Sequence, residues 1–289
     1  MIKRALIPLA GFGTRLFPET KIIKKGFLPV IDYDGLMKPA LLVLLEQLMN
    51  AGINEVGLII GEDERDDYGA LFSDTPDELM RKLPADKQAY AKKLSQMREN
   101  ISYIYQKERL GFGHAVFQGR EFTKGEPVLL LLGDILYKSY TDVNCCKQIM
   151  DAYMKCGKTM IGLNEVPVHR TKHYGTLAGE WADEEERVMR VTSMVEKPSQ
   201  EQAEKSLGVL RSDGNKHYYV TFGQYILAPS VFDVLEKNIR DGKLSGGEIQ
   251  LTDALETVRE SDGLFGLRIE GESFDIGLPE TYRRTVAEF

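Results

Sequence analysis

The sequence predicts an α/β fold, a central, mostly parallel mixed sheet flanked by helices, and three observations carry that prediction. Apolar runs of strand length alternate with helix-length segments through the first half of the chain. One such run, PVLLLL, carries four consecutive leucines, the pattern of a strand buried on both faces of a parallel sheet. A glycine-bearing loop, LAGFGTR, follows the first strand directly, and ligands of open α/β sheets bind beyond the carboxyl ends of their strands.

Taken in order, a strand over 2–9 runs into that loop, and the apolar helix KPALLVLLEQLMNAG over 38–52 ends at a glycine. The strand NEVGLII ends at Ile60, and the lysine- and glutamate-rich stretch 62–100 reads as solvated helices that leave the sheet briefly. ISYIY returns the chain to the sheet, followed by a short helix over 114–118, the strand PVLLLL and a helix over 142–156. From residue 158 the pattern shifts to strands: KTMIGLNEV, YGTLAGE, RVMRVTSMVEKP and HYYVTFGQYIL, the middle two joined by the acidic turn ADEEE. Helices over 229–240 and 249–261, a strand over 264–269 and a helix from 279 close the fold. No linker, repeat or low-complexity segment divides the chain. The expectation is one domain over 1–289, with a doubly wound half over 1–157 and a strand-rich lobe over 158–289 sharing one core.

With 289 residues and 43% hydrophobic content the chain supports a substantial core. The apolar run at its start is short and soon broken by glycines and Arg15, unlike a signal peptide or a membrane span, so a cytoplasmic protein without membrane association is expected. Three cysteines, two of them the adjacent Cys145 and Cys146, give neither a disulfide framework nor zinc-site spacing and read as inert thiols. A net charge of −7 argues against a broad nucleic-acid-binding face. Up to Lys25, however, the cations Lys3, Arg4, Arg15, Lys21, Lys24 and Lys25 oppose the single acid Glu19. That local reversal of sign suits a small phosphorylated ligand.

In the loop, Gly11 and Gly13 let backbone amides approach an anion, and Arg15 and Lys25 add charge. A structural turn is the alternative reading. A dinucleotide fingerprint fails because Leu16 stands where its third glycine belongs, and the lysine–serine or lysine–threonine ending of a P-loop is absent. Asp134 falls just past PVLLLLG, where a carboxylate beside a triphosphate is a natural Mg2+ ligand, the alternative being a cap for the next turn. Asp275, in SFDIG, reads equally as a ligand or as a turn residue before Gly277. Lys197, at a strand end stopped by Pro198, reads on its own as a solvated charge. His114, His169, His173 and His217 show no metal-ligand spacing and receive no catalytic role. No serine or cysteine nucleophile is needed where the nucleophile is already an anion and catalysis rests on alignment and charge neutralisation.

The words GFGTRLFPETK, LGFGHAV, VEKP and GEIQLTDA, in this order across nearly the whole chain, resemble the bacterial UDP-glucose pyrophosphorylase family of sugar nucleotidyltransferases. The related dTDP-glucose pyrophosphorylases share the first loop and the glutamate–lysine–proline element, whereas LGFGHAV and EIQLTDA look more like the uridylyl branch. The resemblance implies a Rossmann-like nucleotidyltransferase fold with a nucleotide-binding half and a sugar-binding lobe, UTP and glucose 1-phosphate as substrates, Mg2+ as cofactor, and a homodimer or homotetramer. It further implies that the backbone at Ala10 and Gly11 meets the base, that Gln106 reads uracil, and that Gly111 and Gly113 allow close approach to the nucleoside. Arg15 and Lys25 would hold the triphosphate, Glu196 the sugar hydroxyls and Lys197 the sugar phosphate. Gly175 and Gly223 would line the glucose pocket, and Asp275 would join Asp134 on the metal. The chain departs from the family at Lys24 and Gly26, which replace the proline and glutamate flanking the loop lysine, at the extra residues around DYDGL, and at Leu278, which stands where an asparagine is usual. These departures leave open another nucleotide or sugar, such as dTTP or glucosamine or galactose 1-phosphate, and a silent nucleotide-sugar-binding homologue.

Overall fold

The protein is described by a computed structural model covering residues 1–289. Its main sheet runs from Ile101–Tyr105 at one edge through Glu55–Ile60, Arg4–Pro8 and Val128–Leu131, all parallel. There the long strand Lys216–Leu227 enters antiparallel, followed by Met160–Val166, Phe265–Arg268, Val188–Glu196 and Gly175–Trp181. Gly175–Trp181 also curls back to pair with the long strand at Tyr219 and Val220, so the strands of the second lobe close on themselves. Ala182–Arg187 is the acidic turn of the expected hairpin. No helix is long and apolar enough to cross a membrane.

The leucines of PVLLLL explain the centre. Val128–Leu131 is buried on both faces between Arg4–Pro8 and the long strand. Two apolar cores lie on the sheet's two sides. One gathers Ile7, Leu41, Leu45, Leu58, Leu129 and Phe222; the other gathers Leu6, Ile59, Leu130, Leu163, Leu235 and Leu255. Each contains residues from both sides of residue 157. The alternation of Leu6 with Ile7 and of Leu129 with Leu130 is the two-residue strand period made visible.

Several elements differ from expectation. The helix expected from residue 38 begins at Ala40 (Ala40–Asn50), because Met37–Pro39 pairs with Pro29–Ile31 in a hairpin and Lys38 is drawn inward by three acids. The helix expected over 142–156 starts at Cys145, where the Asn144 side chain accepts a hydrogen bond from Lys147 N at 2.8 Å. The helix at 114–118 begins earlier, at Phe112, and that at 249–261 later, at Leu251. Among further segments that escape the sequence pattern are the helix Gln200–Ser206 and the strand Gly271–Asp275. The second matters most, since it pairs antiparallel with Ile135–Ser139 and sets Asp275 opposite Ile135.

Candidate active site

A cleft of about 720 Å³ opens at the carboxyl ends of the parallel strands. Its walls bring together Ala10, Gly11, Gly13, Arg15, Lys25, Gln106, Gly111, Asp134, Gly175, Glu196 and Lys197. Gly113, Gly223 and Asp275 do not line it.

On the floor, Asp134 follows Gly133, which packs against the end of the first strand, where a Cβ would stand 2.7 Å from Pro8 O. Lys25 donates from Nζ to Asp134 Oδ2. Asp275 stands behind them, carried there by the pairing of its strand with Ile135–Ser139 and by a hydrogen bond from Ile276 N to Asp134 O at 2.9 Å. All three groups converge on Gly277, where a Cβ would lie 2.8 Å from Lys25 Nζ, 2.8 Å from Asp275 Oδ1 and 3.2 Å from Asp134 Oδ2. Burial, and then the charge of Asp134, push the Asp275 carboxyl above its usual range, against the Gly277 amide, Lys25 and Arg15. Two facing carboxylates of this kind suit a hard divalent cation, which takes oxygen ligands and balances both charges. Arg15, exposed in the turn Thr14–Leu16, makes no ion pair within the chain and remains available to an anion.

Above the floor the glycine loop is held from outside by Arg109, a residue the sequence reading passed over. Its Nε donates to Ala10 O at 2.7 Å, and its guanidinium lies 4.0 Å from the centroid of the Phe12 ring. The only sequence signal is its position two residues before the LGFGHAV glycine. The Gln106 Nε2 lies 3.3 Å from Gly111 O and 3.2 Å from His114 Nδ1, leaving Oε1 without a partner in the chain. Burial holds the His114 ring below its ordinary pKa, against the influence of Glu108, so it is neutral at neutral pH.

The glycines of LGFGHAV serve a contact that spacing did not reveal. A Cβ at Gly111 would meet Ile249 O at 2.8 Å, and one at Gly113 would meet Gln250 C at 2.8 Å. Gly113 N donates to Ile249 O and Ile249 N to Leu110 O, each at 2.8 Å. Gly113 therefore docks the GEIQLTDA segment and does not itself line the cleft. That docking brings Glu248, Gln250, Leu251 and Thr252 onto the cleft wall.

Across the cleft, Gly175 pairs with Glu196, whose Oε2 lies 3.1 Å from the position of a Gly175 Cβ. Consecutive strand residues face opposite sides, yet Glu196 and Lys197 both line the cleft, with Lys197 Nζ 3.5 Å from Glu196 Oε1. Lys197 has a left-handed φ of 46°, uncommon for a residue with a side chain, which breaks the alternation. Gly223 does not line the cleft: its φ of 96° marks a register shift in the long strand, and its carbonyl accepts from Tyr137 Oη at 2.6 Å. The shift leaves its neighbours Thr221 and Tyr225 on the wall in its place.

A family model described as nucleotidyl transferase matches residues 4–287. The chain belongs to the nucleotidyl transferase family. Among its relatives, the UTP–glucose-1-phosphate uridylyltransferase 2 of Staphylococcus saprophyticus is 34% identical over all of this chain and 92% of the relative. Two solved structures, of UDP-glucose pyrophosphorylase alone and in complex with UDP-glucose, superimpose with TM-scores of 0.84 and 0.81 at 31% identity. Both cover 99% of this chain, and the chain covers 97% and 98% of them.

The departures from the nucleotidyl transferase pattern have local explanations. Lys24 turns away from the cleft to Glu64 at 3.0 Å and Asp67 at 3.7 Å, so it does not compete with Lys25. Gly26 is buried, and a Cβ there would stand 3.3 Å from Leu9 and 3.6 Å from Leu41, so the Leu9 side chain would have to give way to a larger residue. Leu278 occupies the N-cap of helix Pro279–Glu288 and supplies no side-chain cap.

Proposed function

We propose that the protein catalyses UTP + glucose 1-phosphate → UDP-glucose + pyrophosphate. The observation that carries this reading is the cleft itself: unpaired Arg15 and the Lys25–Asp134 pair, with Asp275 behind it, face Glu196 and Lys197 on the other wall, in a chain related over its full length to uridylyltransferases.

The glycine loop and Arg15 bind the triphosphate, and Lys25 neutralises charge on it as the α-phosphorus is attacked. Lys197 holds the phosphate of glucose 1-phosphate, whose oxygen is the nucleophile, and Glu196 accepts hydrogen bonds from sugar hydroxyls. No general base is required, because that oxygen is already anionic. A new P–O bond to the sugar phosphate forms as the α–β bridging P–O bond breaks and pyrophosphate leaves. Asp134 and Asp275 would hold Mg2+, which supplies charge neutralisation at the phosphates when bound. Gln106 offers its free Oε1 to the N3–H of uracil, which cytosine lacks.

The test is pyrophosphate release with UTP and glucose 1-phosphate, against dTTP, CTP, and galactose and glucosamine 1-phosphates. UTP with glucose 1-phosphate should give the highest kcat/KM. A faster alternative pair would replace the proposed substrates, and tight UDP-glucose binding with no release from any pair would identify a binding protein instead.

A further inference from the structure

Lys25 and Arg15 share the cleft but not the same situation. Arg15 is exposed and without an acidic partner, whereas the Lys25 ammonium is bonded to Asp134 and stands within the group that includes Asp275. Its surroundings are those of a bound cation: Asp134, in the turn just before Ile135–Ser139, bonds it, and Asp275, on the strand paired with Ile135–Ser139, stands close by around Gly277. Lys24, one position earlier, is tied outward to Glu64 and Asp67. The backbone between them is fixed by the turn Lys25–Phe27, with Phe27 N donating to Lys24 O at 2.8 Å. Only the flexible Lys25 stem is therefore free to change partner.

We propose that Lys25 holds Asp134 and Asp275 in the nucleotide-free protein and exchanges these carboxylates for the triphosphate as metal and nucleotide arrive, so that it sets the order of binding. This rests on the metal and triphosphate roles proposed above. The charge balance favours the exchange. One lysine compensates half of two carboxylates, and a divalent ion compensates both. A free divalent ion must therefore expel the ammonium with no new partner for it. A metal arriving with a triphosphate brings that partner, since the displaced lysine meets phosphate oxygens. Metal binding and triphosphate binding become mutually dependent, and the protein does not hold a bare metal between turnovers.

The inference predicts opposite signs for two affinities in one variant. Mn2+ serves as the probe, with free ion followed by electron paramagnetic resonance in the absence of nucleotide, and metal-free UTP binding followed by calorimetry in chelator. Lys25→Met should bind free Mn2+ at least about tenfold more tightly than wild type, because a positive charge has left the site, while binding metal-free UTP more weakly. Adding Asp134→Asn to Lys25→Met should abolish the gain. Lys25→Gln repeats the measurement with a polar side chain, and circular dichroism checks that each variant is folded. Folded Lys25→Met and Lys25→Gln proteins that bind free Mn2+ no more tightly than wild type would overturn the exchange. If Asp134→Asn in the wild-type background left Mn2+ binding in the presence of UTP unchanged, the metal reading itself would fall, which is a separate outcome.

Discussion

Lys38 and Lys25 both sit among carboxylates, and they differ in one respect that separates structure from chemistry. Lys38 is 3% exposed and saturated, with Asp32 and Asp34 at 2.6 Å and Glu46 at 2.7 Å. Burial works against its charge, but the hydrogen bonds to these acids hold the ammonium well above the ordinary lysine range. Its three acids bring oxygens within 4.8 Å of one another, a spacing that would suit a metal were the lysine not at their centre. Lys25 lines the open cleft, bonds one carboxylate and stands near a second. A cation with all its partners in place stabilises a fold. One that bonds a single carboxylate at an open cleft floor is free to exchange it for a ligand.

Removing the saturated lysine should produce the largest effect. Lys38→Met leaves Asp32 largely buried without its cation and Glu46 with Lys93 alone, a class of change that costs about 3–5 kcal/mol. Denaturant unfolding should show that loss, while kcat per folded molecule stays near wild type because Lys38 lies outside the cleft. A stable but inactive variant would reverse the assignment of roles between the two lysines.

The matching change at the cleft is Asp134→Asn, which keeps shape and removes the charge proposed to hold Mg2+. Turnover should fall roughly a hundredfold, about 2.7 kcal/mol of transition-state stabilisation, with partial rescue by Mn2+ and little change in Tm. Pyrophosphate release at saturating substrates with metal titrated, alongside thermal melting, separates the two effects. Normal turnover with normal metal dependence would remove Asp134 from the metal site. A large fall in Tm would make it a structural cap.

The same contrast explains what the sequence made legible. Asp134 could be placed because Val128–Leu131 is an uninterrupted apolar strand, and such a strand fixes where the next residue emerges. Its partner Asp275 could not be placed, because GESFD is short and weakly patterned, and its position depends on pairing with Ile135–Ser139 far away in the chain. Lys38 reads as the start of a helix because KPALLVLLEQL is helical in period. The hairpin that claims it depends on acids at Asp32, Asp34 and Glu46 meeting in space. Gly111 and Gly113 were visible as glycines that permit close approach, but what approaches, the backbone of Ile249 and Gln250, is a tertiary fact. Arg109 has no periodic or motif signature, and only its bond to Ala10 O reveals it.

A smaller effect is expected where the contact is a single neutral hydrogen bond. Gln106→Ala removes the unpaired Oε1 from the cleft, and the ratio of kcat/KM for UTP over CTP should fall about tenfold, near 1.4 kcal/mol. Metal affinity should not follow, since Gln106 lies apart from the carboxylates. An undiminished preference for UTP would place uracil reading elsewhere.

The smallest effect belongs to a third cation among acids, this one at the surface. His217 bridges Glu165 at 2.8 Å through Nδ1 and Asp213 at 2.9 Å through Nε2. The hydrogen bond to Glu165, opposed by partial burial and joined by Asp213, raises its pKa above the ordinary histidine value of 6.5. A folded-state pKa above the unfolded one means that the contribution is complete below the unfolded value and is lost as pH rises through the folded value. Replacing the histidine with glutamine keeps a hydrogen-bonding group and removes the titration. The Tm gap between wild type and His217→Gln should therefore be wider at about pH 5.5 than at about pH 8.5. It should amount to a few degrees at most, because both acids are exposed and screened by solvent. A gap that is equal at both pH values, or wider at the higher one, would mean that the histidine is held neutral by its neighbours. The graded series from buried Lys38 through cleft Lys25 to surface His217 would then lose its third member.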